Sequence, residues 1–389
     1  MTKKWSSRLT FFAFVVLMVG LGSNDSLRGI FSTIFQEHFS LTTTQLGLIV
    51  TASYIGNLVF LLVGGNLSTR FSQKRVLQVL ILIWMAALAL FAFTSNYTVL
   101  LIGMALALGS STLLNTTMNL ITPLLFATAP GFFVNFLFFT QEIGTSGSQY
   151  ILGSHADGFA FWQHTNLVLL ILGAVAFVLL LFCNVPEEAA APADAPAQKG
   201  GYDWRIIVPY VLVFGFYFIA EHGVMNWMVA YGVDGLGLPQ ASAAKYLSVF
   251  FGGMMIGRLC LSPLVDKLGA LKSLAAFGGV SCVLYLIGSL GGAVTMPVWA
   301  ISGLSFSILY PTLVMSIRLY FPAQQVSGAA GTILSIASLA DILFNVGFGK
   351  LVDMTGYAVS IRVLPLSALA FFIVFILFTK FCKPTQKLK

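Results

Sequence analysis

Long apolar runs, interrupted by short polar breaks, extend along the chain from residue 9 to residue 380. A helix needs about 20 predominantly apolar residues to cross a bilayer, and each run reaches that length. The runs predict twelve membrane-spanning helices, at 9–36, 43–69, 75–94, 98–125, 131–154, 164–183, 205–233, 240–266, 270–291, 295–320, 325–352 and 358–380. The pattern therefore predicts an all-α integral membrane protein.

Composition supports this prediction and excludes other classes of protein. Of the 389 residues, 58% are hydrophobic and 8% are charged, whereas about a quarter of the residues of a soluble domain are charged. Soluble enzymes and nucleic-acid-binding domains are therefore excluded. The four cysteines form no CxxC pair, and neither a metal site nor another cofactor is expected.

Basic residues are distributed unevenly among the connections. If the N-terminus is cytoplasmic, most Lys and Arg residues fall in the even-numbered connections and at the termini, and the outer connections contain only Lys245, Lys350 and Arg362. Lysine and arginine accumulate on the cytoplasmic side of membrane proteins. We therefore predict that both termini are cytoplasmic, and the formal net charge of +7 requires no nucleic-acid partner.

One connection differs from the others, because residues 186–203 read PEEAAAPADAPAQKGGYD. This composition predicts a flexible cytoplasmic linker between an N-terminal six-helix bundle at 1–185 and a C-terminal one at 204–389. A short repeat supports the division, because four residues after the second span recur at constant spacing after the eighth: Leu67, Arg70, Phe71 and Arg75, then Leu264, Lys267, Leu268 and Lys272. Many secondary transporters consist of two such related halves.

The basic segment at 65–75 (GNLSTRFSQKR) and its copy at 262–272 (SPLVDKLGALK) resemble the loop signature of the major facilitator superfamily. The resemblance covers the whole chain, and it implies twelve helices in two pseudo-symmetric six-helix bundles. Four further segments resemble the fucose:proton symporter family of sugar transporters: Asn24-Asp25 with LTTTQLGLI, Asn115 with Asn119, the stretch from Glu221 to Tyr231, and SILYPTLVMSI at 307–317.

This finer resemblance implies a proton-coupled symporter that carries a small polar solute, a monosaccharide, by alternating access. We expect a monomer in the cytoplasmic membrane of a bacterium, with its substrate, protons and lipid as partners. The sequence departs from the family at Asn115, where such symporters can carry a carboxylate. The proton pathway of the family therefore does not transfer directly to this chain.

Four acidic residues fall within the predicted spans: Asp25, Glu142, Glu221 and Asp341. An ionisable group in hydrocarbon costs about 2.5–3.5 kcal/mol on insertion scales, so each needs a partner, a wet cavity or a function. Arg28 lies one helical turn after Asp25. The two can form a self-neutralising pair, Asp25 can carry the coupled proton, or it can contact substrate. We place Asp25 first for proton coupling, followed by Glu142 and Glu221.

Amide and aromatic side chains in several spans are candidates for substrate binding. Asn115 and Asn119 lie on one stripe of the fourth span, where paired amides suit sugar hydroxyls or join helices. A break near Gly223 in the seventh span would let its polar residues face one cavity, although Trp227 and Tyr231 also suit an aromatic belt. The full set is Asn24, Arg28, Tyr54, Asn57, Asn115, Asn119, Asn135, Gln141, Glu142, Glu221, His222, Asn226, Trp227, Asp341 and Asn345.

The charged residues near the predicted cytoplasmic ends of the second and eighth spans suit gating better than ligand binding. They are Arg70, Arg75, Arg258, Asp266 and Lys267.

Other functions stay open at this point. The 35 Phe and 12 Met residues suit an efflux transporter for amphipathic compounds, and Arg28 with Arg258 suits an anion transporter. A membrane-embedded enzyme is disfavoured because the longest connection contains no His or Cys. The chain contains no GxxxxGK[ST] loop, so a gradient rather than ATP is the expected energy source.

Overall fold

The computed structural model describes residues 3–126, 130–183, 185 and 202–384. The chain divides into an N-terminal unit, Met1–Ala195, and a C-terminal unit, Pro196–Lys389. Most of the predicted 186–203 linker lies outside the described residues.

Seven helices form the described part of the N-terminal unit: α1 (Lys3–Ile30), α2 (Ser32–His38), α3 (Thr43–Arg70), α4 (Gln73–Phe93), α5 (Tyr97–Leu125), α6 (Pro130–Ile151) and α7 (Phe159–Leu181). Within this unit α1 packs against α6 and α7, and α5 packs against α3 and α4.

The C-terminal unit begins with α8 (Trp204–Ala230), which continues into a π-helical segment (Tyr231–Gly235). The later helices are α9 (Gln240–Leu268), α10 (Ala270–Leu290), α11 (Met296–Ile301), α12 (Gly303–Phe306), α13 (Leu309–Ser316), α14 (Ala323–Thr355), α15 (Tyr357–Ser360) and α16 (Val363–Phe381). Short 3-10 segments occupy Gly292–Val294 and Ile317–Leu319. Here α8 packs against α14 and α16.

Local hydrogen bonds explain where several helices begin. Thr42 and Gln45 form a capping box at the start of α3, in which the Thr42 hydroxyl accepts from the Gln45 amide and Gln45 Oε1 accepts from the Thr42 amide. Asn96 caps α5 and Asp203 caps α8 through their side-chain oxygens. These polar residues separate the apolar runs and satisfy amides that the first helical turn leaves unpaired.

Within the described residues, eleven helical segments are long and apolar enough to cross a membrane. The remaining long helix, α6, has 22 residues and is about 33 Å long at 1.5 Å per residue. Its mean hydropathy is lowered by a polar face that includes Thr140, Gln141, Glu142 and Thr145. The predicted all-α fold with twelve membrane-spanning helices is confirmed.

Two spans differ in detail from the prediction. The first span is interrupted at Phe31, between α1 and α2, and the tenth consists of the short helices α11 to α13 followed by a 3-10 turn. The break near Gly223 that would let the polar residues of the seventh span face one cavity is absent, because α8 is continuous there. Gly223 instead permits close packing, since a Cβ added at this position would lie 2.3 Å from Leu364 of α16.

Glycines bring α1 and α6 into backbone contact and thereby position the polar side chains between them. A Cβ added at Gly22 would lie 2.1 Å from the Gln141 carbonyl oxygen, and one at Gly144 would lie 2.1 Å from the Val19 carbonyl oxygen. The Thr145 hydroxyl donates to the Gly22 carbonyl at 3.2 Å. Small residues allow this approach in membrane helices.

Candidate functional site

The Asp25 carboxylate is held by two neutral donors of the N-terminal unit. Ser111 Oγ on α5 donates to Asp25 Oδ2 at 3.0 Å, and Asn24 Nδ2 donates to Asp25 Oδ1 at 3.4 Å. Each carboxylate oxygen therefore has a protein donor. The contact with Ser111 links α1 to α5.

Arg28 makes no direct ion pair with Asp25, although the two side chains interact electrostatically. Within the described residues, no carboxylate oxygen lies within 4.0 Å of its guanidinium, and its Nε has no hydrogen-bond acceptor. Arg28 is nevertheless only 5% exposed. Its guanidinium carbon lies 5.5 Å from the centroid of the Tyr54 ring on α3, within the range of a cation–π interaction.

Three amide side chains are joined by hydrogen bonds across α5 and α6 and are called the amide chain below. Asn119 Nδ2 donates to Asn115 Oδ1 at 2.6 Å, and Asn115 Nδ2 donates to Gln141 Oε1 at 2.7 Å. Within the described residues, the buried Asn119 Oδ1 accepts no hydrogen bond. The chain therefore ends in an acceptor at Asn119 and has the amide donors of Gln141 at its other end.

The C-terminal unit contains a second polar chain, between α8 and α14. His222 Nδ1 donates to Asp341 Oδ2 at 2.5 Å. Asn345 Nδ2 donates to the Asp341 carbonyl at 2.8 Å, and Trp227 Nε1 donates to Asn345 Oδ1 at 2.9 Å. Trp227 is fully buried, so it does not belong to a lipid-facing aromatic belt.

Three tyrosines interact electrostatically with Glu221. They are Tyr217, Tyr285 and Tyr310. The rings of Tyr217 and Tyr310 stack at 6.0 Å, and the Tyr285 hydroxyl donates to the Ala220 carbonyl at 3.1 Å. Arg258, which the sequence suggests as a gating residue, is within electrostatic range of Tyr217 and Tyr310.

The other predicted residues are distributed as follows. Asn24 and Asn226 are buried, Asn57 and Glu142 are half-buried, and Arg75 and Lys267 are exposed. The side chains of Asn135, Arg70 and Asp266 lie outside the described part of the structure.

Sequence reasoning missed Ser111, Tyr285 and Tyr310. Ser111 lies four residues before Asn115, so the helical spacing already contained a signal for it. Tyr310 lies in the 307–317 segment that resembles the sugar transporters, but nothing local places it or Tyr285 near Glu221, because their helices, α13 and α10, meet Glu221 only through the tertiary fold.

Known proteins resemble this chain in both sequence and structure. The Major Facilitator Superfamily model matches residues 10–340. The L-fucose-proton symporter of Escherichia coli is 24% identical over 333 residues, covering 74% of this chain and 75% of that protein. The cis,cis-muconate transport protein of Acinetobacter baylyi is 24% identical over 297 residues, covering 71% of this chain and 70% of that protein.

The glucose/galactose transporter of Brucella abortus is 27% identical over 344 residues, covering 82% of this chain and 81% of that protein. The crystal structure of a D-xylose-proton symporter superposes with a TM-score of 0.78 at 16% identity and covers 99% of both chains. At that identity the likeness establishes the fold alone. The family match extends over most of the chain, which therefore belongs to the Major Facilitator Superfamily and is a multi-pass membrane transporter, not an enzyme.

Proposed function

We propose that this protein is a proton-coupled symporter that carries a small polyhydroxylated solute of monosaccharide size by alternating access. The observation that carries the proposal is the amide chain of Asn119, Asn115 and Gln141. Neighbouring sugar hydroxyls need acceptors and donors together, and the two ends of this chain offer both. The fucose and glucose/galactose relatives support the same class of substrate.

Asp25 is the first candidate for the coupled proton because its surroundings suit both protonation states. The Ser111 hydroxyl donates to the carboxylate, and it can accept from the same oxygen once that oxygen carries a proton. The Asn24 amide can donate to the other oxygen in either state. Each oxygen of the Asp25 carboxyl then has a hydrogen-bond partner in both forms, and Glu142 and Glu221 remain the next candidates.

The other residues that the sequence predicts to bind substrate or to gate transport belong to the same proposal, as does the predicted orientation in the membrane. We place the protein in the cytoplasmic membrane of a bacterium, as a monomer with both termini in the cytoplasm. The asymmetry of Lys and Arg among the connections supports this orientation.

Uptake into proteoliposomes tests the proposed function. Purified protein should concentrate a labelled monosaccharide when an inward proton gradient is imposed, and a protonophore should abolish the accumulation. If the labelled sugar only equilibrates across the membrane, and the protonophore does not change this, the protein is a facilitator that is not coupled to protons. If the protein moves no member of a panel of neutral and acidic sugars, in exchange or in uptake, the proposed function is wrong.

A second candidate, transport of an organic anion, is favoured by Arg28. This buried guanidinium has no carboxylate within ion-pair distance among the described residues. The muconate relative supports this alternative.

A further inference from the structure

An apolar cavity of about 540 Å³ lies within the N-terminal unit, between α3, α4 and α5. Val59 and Phe60 of α3, Val79 and Ile83 of α4 and Leu113 of α5 line it. Its volume is within the range of small-molecule sites, about 300–1,000 Å³. None of the residues proposed above for substrate binding or proton coupling is among its described lining residues. The cavity therefore calls for an occupant of its own.

The lining of the cavity is open to the surroundings of the protein. Val59 and Val79 are 50% and 53% exposed, and Phe71, which lies between α3 and α4 and also lines the cavity, is 52% exposed. Both helices contain segments that are long and apolar enough to cross a membrane. Apolar surface of this kind is unfavourable against water and compatible with an acyl chain.

Arg75 gives the cavity one charged end. Among the described lining residues it is the one that is not apolar, and its side chain is exposed. It lies in the first turn of α4, which contains no acidic residue and whose N-cap, Ser72, makes no side-chain capping bond. The amides and the dipole of a first turn also favour an anion. This end of the cavity therefore suits a negatively charged group.

The sequence around Arg75 supplies positive charge without any acid to offset it. Residues 39–141 contain no Asp or Glu, and their Lys and Arg residues all fall within 70–75. The second copy of the basic segment differs, because Asp266 stands at the position that Thr69 occupies in the first copy. The first copy is thus the one whose charge complements an external anion.

Lys74 and Arg75 are neighbours in sequence, but their side chains have different surroundings. Lys74 Nζ donates to the Leu181 carbonyl at 3.0 Å and to the Cys183 carbonyl at 2.7 Å, so its donors are used at the end of α7. Arg75 lines the cavity instead. Its planar guanidinium can donate two parallel hydrogen bonds to the oxygens of one phosphate.

The length of the cavity matches one leaflet of a bilayer. From Arg75 to Ile83 the axis of α4 rises about 12 Å, at 1.5 Å per residue. One leaflet contributes about 15 Å to a hydrocarbon core of about 30 Å. A ligand that fills the cavity therefore has its charge at the membrane surface and its apolar part within a single leaflet.

We propose that the cavity between α3, α4 and α5 binds an anionic phospholipid, whose phosphate contacts Arg75 and one of whose acyl chains occupies the cavity. A free phosphate uses Arg75 but leaves the apolar lining uncovered. A zwitterionic phospholipid brings its ammonium group to a region whose formal charges are all positive. The site lies outside the proposed transport machinery except for Arg75, and its test requires no transported solute.

Competition between two lipids tests the choice of head group. Purified protein in detergent is mixed with equal amounts of phosphatidylglycerol and phosphatidylcholine that carry the same acyl chains, and native mass spectrometry measures the ratio of the two bound lipids. We expect phosphatidylglycerol to be retained at least about fivefold more strongly. Arg75→Gln should lower this ratio about fivefold, the size expected for one basic residue near an anionic lipid. Arg362→Gln, at another exposed position, is the matched control and should keep the ratio.

A matched pair of valine substitutions tests whether an acyl chain fills the cavity. Val79→Phe introduces a larger side chain into the cavity and should weaken retention of both lipids. Val175→Phe on α7 is the control, because Val175 is 49% exposed against 53% for Val79 and is not among the described lining residues. The two valines also lie at similar distances from the ends of α7 and α4 that Lys74 joins. Val175→Phe should leave retention unchanged.

Four results overturn the proposal. Equal retention of the two lipids by the unmodified protein shows that the site selects no anionic head group. An unchanged ratio in Arg75→Gln places the anionic preference elsewhere. Equal effects of the two valine variants show lipid bound without use of the cavity. Inorganic phosphate that raises the melting temperature of the unmodified protein as much as phosphatidylglycerol shows a site for a free anion only. The first and last comparisons use no variant, so they decide the proposal even if a variant fails to fold.

Discussion

His222 donates through Nδ1 to Asp341 Oδ2 at 2.5 Å, and these two residues are 119 positions apart in the chain. The Asp341 side chain is 3% exposed and that of His222 is 25% exposed. The bond joins α8 to α14, and Asn345 and Trp227 extend it along the same interface. A hydrogen-bonded polar network thus lies within the contact between α8 and α14.

The first prediction concerns this pair. His222→Leu and Asp341→Leu should each lower stability by about 1–3 kcal/mol, since each removes one partner of this hydrogen bond. The double variant should lose less than the sum of the two single losses, because residues in contact are not additive. Thermal unfolding in detergent measures the stability of the two single variants and the double variant. Ser338→Ala on α14 is the control, because the Ser338 hydroxyl donates to the Leu334 carbonyl within the same helix. Additive losses would mean that the two side chains act independently.

The second prediction concerns the amide chain. Asn119→Ala and Gln141→Ala should raise the half-saturation constant for transport by about 5- to 150-fold, because a lost hydrogen bond to a buried hydroxyl costs about 1–3 kcal/mol. Protein abundance should stay near normal. Thr116→Ala, an exposed position on α5, is the matched control. Unchanged half-saturation constants in both variants would assign these amides to helix packing.

The third prediction concerns proton coupling. Asp25→Asn should mimic the protonated carboxyl, so labelled substrate should still exchange across the membrane while uphill uptake disappears. Exchange and gradient-driven uptake are measured in the same proteoliposome preparation over a pH series. If Asp25→Asn concentrates substrate as well as the unmodified protein, Asp25 is not the coupling residue, and Glu142→Gln and then Glu221→Gln become the variants to test.

The fourth prediction concerns the contact between α1 and α6. Gly144→Ala should destabilise the protein by about 1–3 kcal/mol, because its Cβ would lie 2.1 Å from the Val19 carbonyl oxygen. Gly147→Ala on the same helix should have little effect, since no atom lies within 4 Å of its added Cβ. Thermal unfolding compares the two directly. Equal melting temperatures would contradict the close approach of these helices.

The fifth prediction concerns topology. A cysteine introduced as Asp194→Cys should react with a membrane-impermeant thiol reagent only after the membrane is opened, because the linker is predicted to be cytoplasmic. Asp157→Cys, in the exposed connection between α6 and α7, should react in intact cells. Both changes are made in a chain whose four native cysteines are replaced by serine. The reverse labelling pattern would invert the proposed orientation.

The sequence alone determined the fold class and the positions of most helices. Hydrophobic length is a local property, and a run of about 20 apolar residues has few structural alternatives in a bilayer. Helical spacing likewise identified Asn115 and Asn119 as members of one stripe, and the structure joins them by a hydrogen bond. The same spacing places Arg28 on the helix face of Asp25, but it gives no sign that Ser111, from another helix, donates to the Asp25 carboxylate.

Only the tertiary structure decided which polar residues meet across helices. Asn115 on α5 meets Gln141 on α6, and the buried Trp227 donates to Asn345 rather than facing lipid. The local pattern shows which side of a helix is polar, but each polar side can face any of several neighbours. Packing selects one arrangement, because the buried donors and acceptors of a membrane protein depend for their partners on groups brought together by the whole fold.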